Sequence, residues 1–180
     1  MRKLRTVEMR RLSVEQFHEA RKTPLVVVLD DVRSLYNVGS VFRSCDAFRV
    51  EAIYLCGITA TPPHPEIHKT ALGAEDSVAW KHFDSATEAV EELQGRGYKV
   101  WATEQVEGST KLQHLTTGDA PGYAVVLGNE VKGVAQTTVD KCDGCLEIPQ
   151  FGTKHSLNVS VTAGIVVWEF ARRLISGLKQ

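Results

Sequence analysis

The 180-residue chain lacks a charge bias: 21 Lys and Arg stand against 22 Asp and Glu, a formal net charge of −1. A globally basic surface is absent, so any nucleic-acid binding has to rest on a local patch. Long apolar runs are missing too. The charge-free, apolar stretch Ser156–Trp168 extends over only 13 residues, too short to cross a bilayer. No export signal is recognisable, because the first uninterrupted apolar stretch is Leu25–Leu29. The four cysteines (Cys45, Cys56, Cys142, Cys145) are too few for a disulfide scaffold. Free thiols, a reducing compartment and a cytoplasmic location are expected.

The usual catalytic signatures are equally scarce. Gly128 and Gly133 have phosphate-loop spacing, but Val134-Ala135 stands where Lys and Ser or Thr are required. No G-x-G-x-x-G follows the first apolar run, which removes a standard dinucleotide fold. There is no G-x-S-x-G elbow. Cys142 and Cys145 form a lone C-x-x-C; a metal, a redox pair and incidental turn cysteines are the readings, and no metal is expected because no second pair is suitably spaced. His64 and His68 are four apart with Pro65 between them and no adjacent Glu, so they read as solvated loop histidines rather than a zinc site.

What is present is uneven. Residues 1–22 carry seven cations (Arg2, Lys3, Arg5, Arg10, Arg11, Arg21, Lys22) against three anions, a local +4. This reads as either a solvated segment or a phosphate-binding arm. Residues 1–24 are taken as a basic extension and residues 25–180 as one domain. Ser13 and Gln16 have capping-box spacing for a helix over 14–22. Strands are expected at Leu25–Leu29, Ala52–Leu55, Ser77–Trp80, Tyr98–Ala102, Ala124–Leu127 and Leu146–Ile148. Helices are expected over 38–48, from Asp84 or Ser85 to Gly95, and from Asn158 to Ser176. A loop holding Pro62, Pro63 and Pro65 lies between. Buried strands alternating with helices indicate an α/β fold around a parallel sheet. The last helix is apolar nearly all round, so it needs cover on two sides, one of them from a second subunit.

Three segments cluster polar residues and glycine where core strands end: Leu29–Phe48, Ala124–Val134 and Leu146–Gly164. Such strand ends are where α/β folds place ligands. Singly each segment reads as a capped helix or a tight turn. In this order and spacing, with KTALGAE at Lys69–Glu75, they resemble the three motifs of the SpoU/TrmH family of RNA ribose 2′-O-methyltransferases, within the SPOUT superfamily. The resemblance covers Leu25 to Phe170. It implies a SPOUT-type fold with a deep C-terminal trefoil knot, S-adenosylmethionine as methyl donor, a homodimer, and tRNA or rRNA as substrate, tRNA favoured. Carried onto this chain, it implies cofactor binding by Thr103, Gly128, Ile148 and Leu157.

The same resemblance implies Arg43, Asn37, Glu130, Ser156 and Asn158 as the catalytic group. Arginine stays protonated and is a poor base. Arg43 is therefore expected to clamp a phosphate and stabilise a developing sugar oxyanion, oriented by Asn37 or Asn158. Glu130 would position the arginine or the substrate. Arg2–Arg11, Arg33, Lys69 and Lys154 are candidate phosphate contacts. Gln150 departs from the apolar Met common in relatives. A base-methylating enzyme and an RNA-binding module without catalysis are the alternatives.

Overall fold

The computed structural model describes residues 1–175. Seven strands form one all-parallel sheet: β1 (Thr23–Asp30), β2 (Val50–Cys56), β3 (Ala79–Phe83), β4 (Lys99–Thr103), β5 (Thr110–Lys111), β6 (Tyr123–Leu127) and β7 (Gly144–Glu147), in the order β3-β2-β1-β6-β4-β7-β5. β1 is central and buried on both faces, as its continuous apolar run requires. Alternation across the pleat sends Leu25, Val27 and Leu29 into one core and Val26 and Val28 into the other. The first core is covered by α2 (Leu35–Ala47) and α7 (Val159–Leu174), the second by α5 (Ala86–Gly95). The class expected from the sequence, α/β on a parallel sheet, is the class observed.

Several boundaries differ, each for a local reason. The first helix, α1 (Val14–Glu19), keeps the Ser13–Gln16 capping box but stops early. Lys22, expected inside it, instead folds back and donates to the carbonyls of Phe17, His18 and Ala20. α2 begins before residue 38 because the Ser34 hydroxyl accepts from the Asn37 amide and caps it. The proline-rich loop contains two helices, α3 (Pro65–Ala71) and α4 (Ala74–Ser77). Pro65 sits in the first turn of α3, where its missing N–H costs nothing.

His64 caps α3 and His68 lies within it, so neither is in a loop, although the His68 side chain stays solvated as expected, at 66% exposure. His64 Nδ1 accepts from the Glu66 amide at 3.2 Å, and His68 Nδ1 meets Glu75 Oε1 at 2.5 Å. Ser77 belongs to α4, bonded to Asp46 Oδ1, so the strand expected at Ser77–Trp80 is shifted to β3. β3 is an exposed edge, which removes the apolar pattern that would have marked it. β7 ends at Glu147, leaving Ile148 in the loop, and α6 (Gln136–Lys141) and β5 were not anticipated. Gly39 does permit a close approach, but of α3: a Cβ there would lie 2.2 Å from Ile67 O and Thr70 Oγ1.

α7 is covered on one side only among the described residues. Val166, Val167, Phe170 and Ala171 are buried, whereas Val161, Ile165 and Trp168, a stripe at helical spacing, are 51%, 38% and 54% exposed. Its expected end at Ser176 lies outside the described residues. Among those residues, no helix is long and apolar enough to cross a membrane.

Candidate active site

The carboxyl ends of β6, β4 and β7 open into a cleft of about 650 Å³. Each wall can be traced to a local cause. After β6 the chain folds back at Gly128, where Asn129 and Gly133 exchange backbone hydrogen bonds of 3.0 and 2.9 Å. A Cβ on Gly128 would sit 2.1 Å from the Gly133 carbon and the Val134 nitrogen, so only glycine allows the fold-back. Asn129 Nδ2 donates to Asp31 O at 2.8 Å, and Asp30 Oδ2 accepts from the Ala135 amide and the Thr138 hydroxyl, both at 3.3 Å. Both ends of this loop are thereby pinned to the end of β1. Burial pushes the Asp30 carboxyl above its ordinary range, against those two donors.

Glu130 leaves the tip of the loop and reaches the start of α2. Its Oε2 accepts from the Arg33 amide and its Oε1 from the Ser34 amide and Asn37 Nδ2, all at 3.0 Å. Burial works against its charge, but these donors prevail and hold the carboxyl below the usual range. Asn37 Oδ1 in turn accepts from Asn158 Nδ2 at 3.2 Å, while Asn158 Oδ1 caps α7 through the Ser160 amide at 2.9 Å. One hydrogen-bonded chain thus links the three segments singled out in the sequence.

Thr103, Gly128, Ile148 and Leu157 all line the cleft, as do Glu130, Ser156 and Asn158, and Asn37 adjoins it through its hydrogen bonds. Arg43 does not join them. Val38, Val41, Phe42 and Cys45 turn one face of α2 into the core, and Arg43 lies on the opposite, exposed face with Tyr36 and Ala47. Asn37 and Arg43 are six residues apart, on different faces of a helix with 3.6 residues per turn. Glu130 spends its oxygens on the start of α2 rather than on that arginine.

Glu104 and Gln105 were not anticipated. Glu104 Oε2 accepts from the Val134 amide at 3.2 Å, and Gln105 Nε2 donates to His155 O at 2.6 Å. They directly follow Thr103 at a strand end, and that position was the available signal. The cleft suits a cofactor of mixed polarity. Ile148, Leu157 and Val159 give it apolar wall, and the buried Thr103 hydroxyl has no hydrogen-bond partner among the described residues. A hydroxyl left in that state is destabilising until something bonds it.

An all-parallel α/β sheet with a cleft across its strand ends, built from a glycine fold-back and the cap of the last helix, defines a small-molecule-binding catalytic domain. Residues 24–168 match the SpoU rRNA Methylase family, and the chain belongs to that family. It is 35% identical over 155 residues to the 23S rRNA (guanosine-2′-O-)-methyltransferase RlmB of Coxiella burnetii, covering 85% of this chain and 60% of that protein. It is 31% identical over 172 residues to the tRNA (guanosine(18)-2′-O)-methyltransferase of Thermus thermophilus, covering 95% of this chain and 87% of that enzyme. An AdoMet-bound rRNA methyltransferase from Sinorhizobium meliloti superposes with a TM-score of 0.78 at 26% identity, over 89% of this chain and 61% of that one. The chain therefore spans only about three fifths of the RlmB relative.

Proposed function

We propose that the protein transfers a methyl group from S-adenosylmethionine to a ribose 2′-hydroxyl of structured RNA, with tRNA ahead of rRNA. The observation that carries this reading is the meeting of Asn37, Glu130 and Asn158 at the rim of a cleft walled by Thr103, Gly128, Ile148 and Leu157. The near full-length match to a tRNA enzyme supports the preference for tRNA.

When bound, S-adenosylmethionine supplies an electrophilic methyl on a sulfonium sulfur. This chain's residues hold the donor and prepare the acceptor. Thr103 offers its unpartnered hydroxyl, and Ile148 and Leu157 exclude water. The difficult group is the sugar hydroxyl: its oxygen would take the methyl carbon as the carbon–sulfur bond breaks and S-adenosylhomocysteine leaves, and its proton would pass to solvent water. Ser156 and Asn158 hydrogen-bond the ribose, and a guanidinium stabilises the developing oxyanion and clamps the neighbouring phosphate.

The guanidinium is that of Arg43, and it comes from the other copy of a homodimer. Two observations support this: Arg43 is exposed on the face of α2 turned away from the core, and the α7 stripe of Val161, Ile165 and Trp168 lacks cover among the described residues. α7 starts at the cleft with Asn158 as its cap, so a two-fold contact along it brings a second chain beside the cleft. The deep trefoil knot belongs to the same reading, supported by the return of α7 over β1 and β6 after β7. The basic segment ahead of β1, residues 1–22 of the expected extension 1–24, serves as an RNA-facing arm, and a cytoplasmic location accords with that substrate.

The test is incubation with labelled S-adenosylmethionine and unmodified RNA, followed by alkaline digestion. Alkali cleaves only next to a free 2′-hydroxyl, so label in a resistant dinucleotide is expected. Label on a mononucleotide would mean base methylation. No label with tight RNA binding would mean a module without catalysis.

A further inference from the structure

Resting on the reading of the cleft as an RNA-modifying site, we propose that Phe151 is a stacking platform for an unpaired base at or beside the methylated nucleotide. Phe151 is 96% exposed, against 54% for Trp168, 47% for Tyr36 and 38% for Trp80. Among the described residues it belongs to none of the aromatic pairs that occupy Phe48, Tyr54, Phe83, Tyr123, Trp168 and Phe170. Nothing among the described residues covers the ring, and residues on both sides of it in the chain line the cleft. Gln150 before it lines the cleft, and His155, further along, lines the cleft and is held by the bond from Gln105. Phe151 does not line the cleft itself but is carried next to it by a segment whose Gln150 and His155 do.

The surroundings select the occupant. Residues 150–157 contain Lys154 and no carboxylate, and Lys132 is among the residues that line the cleft. A solvated aromatic face flanked by cations is the arrangement that holds a single-stranded nucleotide, base on ring and phosphate on ammonium. The reaction also calls for it. A splayed-out nucleotide brings its ribose deepest into a concave cleft, and a stacked base fixes the sugar that pivots beneath it. The apolar stripe proposed to meet a second copy lies on α7 instead.

Phe151→Ala, Phe151→Leu and Phe151→Trp, made in the full chain, test this with a pool of unmodified tRNA transcripts. Loss of one stack corresponds to a change of about 5- to 150-fold. The Ala and Leu variants should raise the RNA Kd, read by fluorescence anisotropy, and the RNA KM within that range. Trp should restore both. S-adenosylmethionine affinity and the sedimentation coefficient should stay at wild-type values in all three. Unchanged RNA binding in Phe151→Ala overturns the proposal. So does full function in Phe151→Leu, which would make the residue an apolar cover, or dissociation of Phe151→Ala, which would assign the ring to the interface between copies. If wild-type protein labels no RNA, the functional reading itself fails and this one with it. If wild-type and Phe151→Ala label RNA with the same KM, the stacking role alone is lost.

Discussion

Asn158 Nδ2 and Asn37 Oδ1 meet at 3.2 Å although 121 residues separate them in the chain. The contact joins the cap of α7 to the first turn of α2, and Glu130 extends it into the loop after β6. Any change in this chain of bonds is therefore felt on two walls of the cleft and at the helix start beside it.

Glu130 is the charged member, and replacing it by Gln tests what its charge does. An amide presents one acceptor and one donor group to three donors, so part of the clamp is broken. A cost of about 1.5–3 kcal/mol in urea unfolding at pH 7 is expected, from the usual worth of hydrogen bonds to charged groups. Turnover should fall by at least about tenfold, because the start of α2 shifts relative to the cleft. The carboxyl is held below its ordinary value of 4.5, so the unfolded chain binds the proton first as pH drops. Its contribution is whole above about pH 5 and is lost as pH falls through the lowered folded value. Wild-type stability should thus drop more steeply than that of Glu130→Gln between pH 5 and pH 3, and parallel curves would contradict the clamp.

This convergence was legible in the sequence because it obeys a general rule: polar and glycine residues at parallel strand ends gather at one site. Gly128, Glu130 and Asn158 could be located without coordinates for that reason. Three features were hidden for physical reasons. β5 has two residues, too few for any periodicity. α3 begins with a proline, and its neighbours Pro62 and Pro63 gave the whole stretch the composition of a loop. The orientation of Arg43 depends on which face of α2 meets the sheet, and that is decided by packing against α3 and α7. Its six-residue separation from Asn37 read as proximity but places the two on different sides. Glu104 and Gln105 escaped notice because a single charged and a single amide residue after a strand carry no pattern.

Thr103 offers a change with opposite signs on fold and binding. Its buried hydroxyl has no partner among the described residues, and an unsatisfied group of that kind costs about 1–3 kcal/mol. Thr103→Val keeps the shape and the β-branch while removing the oxygen. The ligand-free protein should unfold at a temperature equal to or above that of the wild type, by differential scanning calorimetry. Its Kd for S-adenosylmethionine, by isothermal titration calorimetry, should rise by about fivefold or more, the worth of one lost hydrogen bond. A variant less stable without ligand, or one that binds as tightly as wild type, would show that the hydroxyl has another partner.

The exposed stripe of α7 can be tested apart from the chemistry. Ile165→Glu places a carboxylate in the middle of Val161, Ile165 and Trp168 while leaving Val166, Val167 and Phe170 in the core. Burying an unpaired charge costs several kcal/mol, more than enough to split a contact of this kind. Wild-type protein is expected to sediment as a dimer at micromolar concentration and Ile165→Glu as a monomer with unchanged melting in dilute solution. A wild-type monomer would remove the second copy from the site altogether.

If Arg43 serves the cleft of the other copy, two inactive variants should complement each other. Arg43→Ala alone should lower turnover by a hundredfold or more, in the range seen when one group stabilising a developing oxyanion is removed. Its affinity for S-adenosylmethionine should stay the same, because Arg43 does not line the cleft of its own chain. Asn158→Ala is expected to be inactive for a different reason, the loss of the α7 cap and of the bond to Asn37. In a mixed dimer, one cleft combines the intact Asn158 of the first chain with the intact Arg43 of the second. The other cleft has neither. Subunits that exchange freely give mixed dimers as half of the population, each with one working site, so mixing equal amounts should restore about a quarter of the wild-type activity per chain. Two sites that each need both residues from the same chain would give no recovery at any mixing ratio. That outcome would place the guanidinium on its own cleft by a movement of α2 and would refute the shared site.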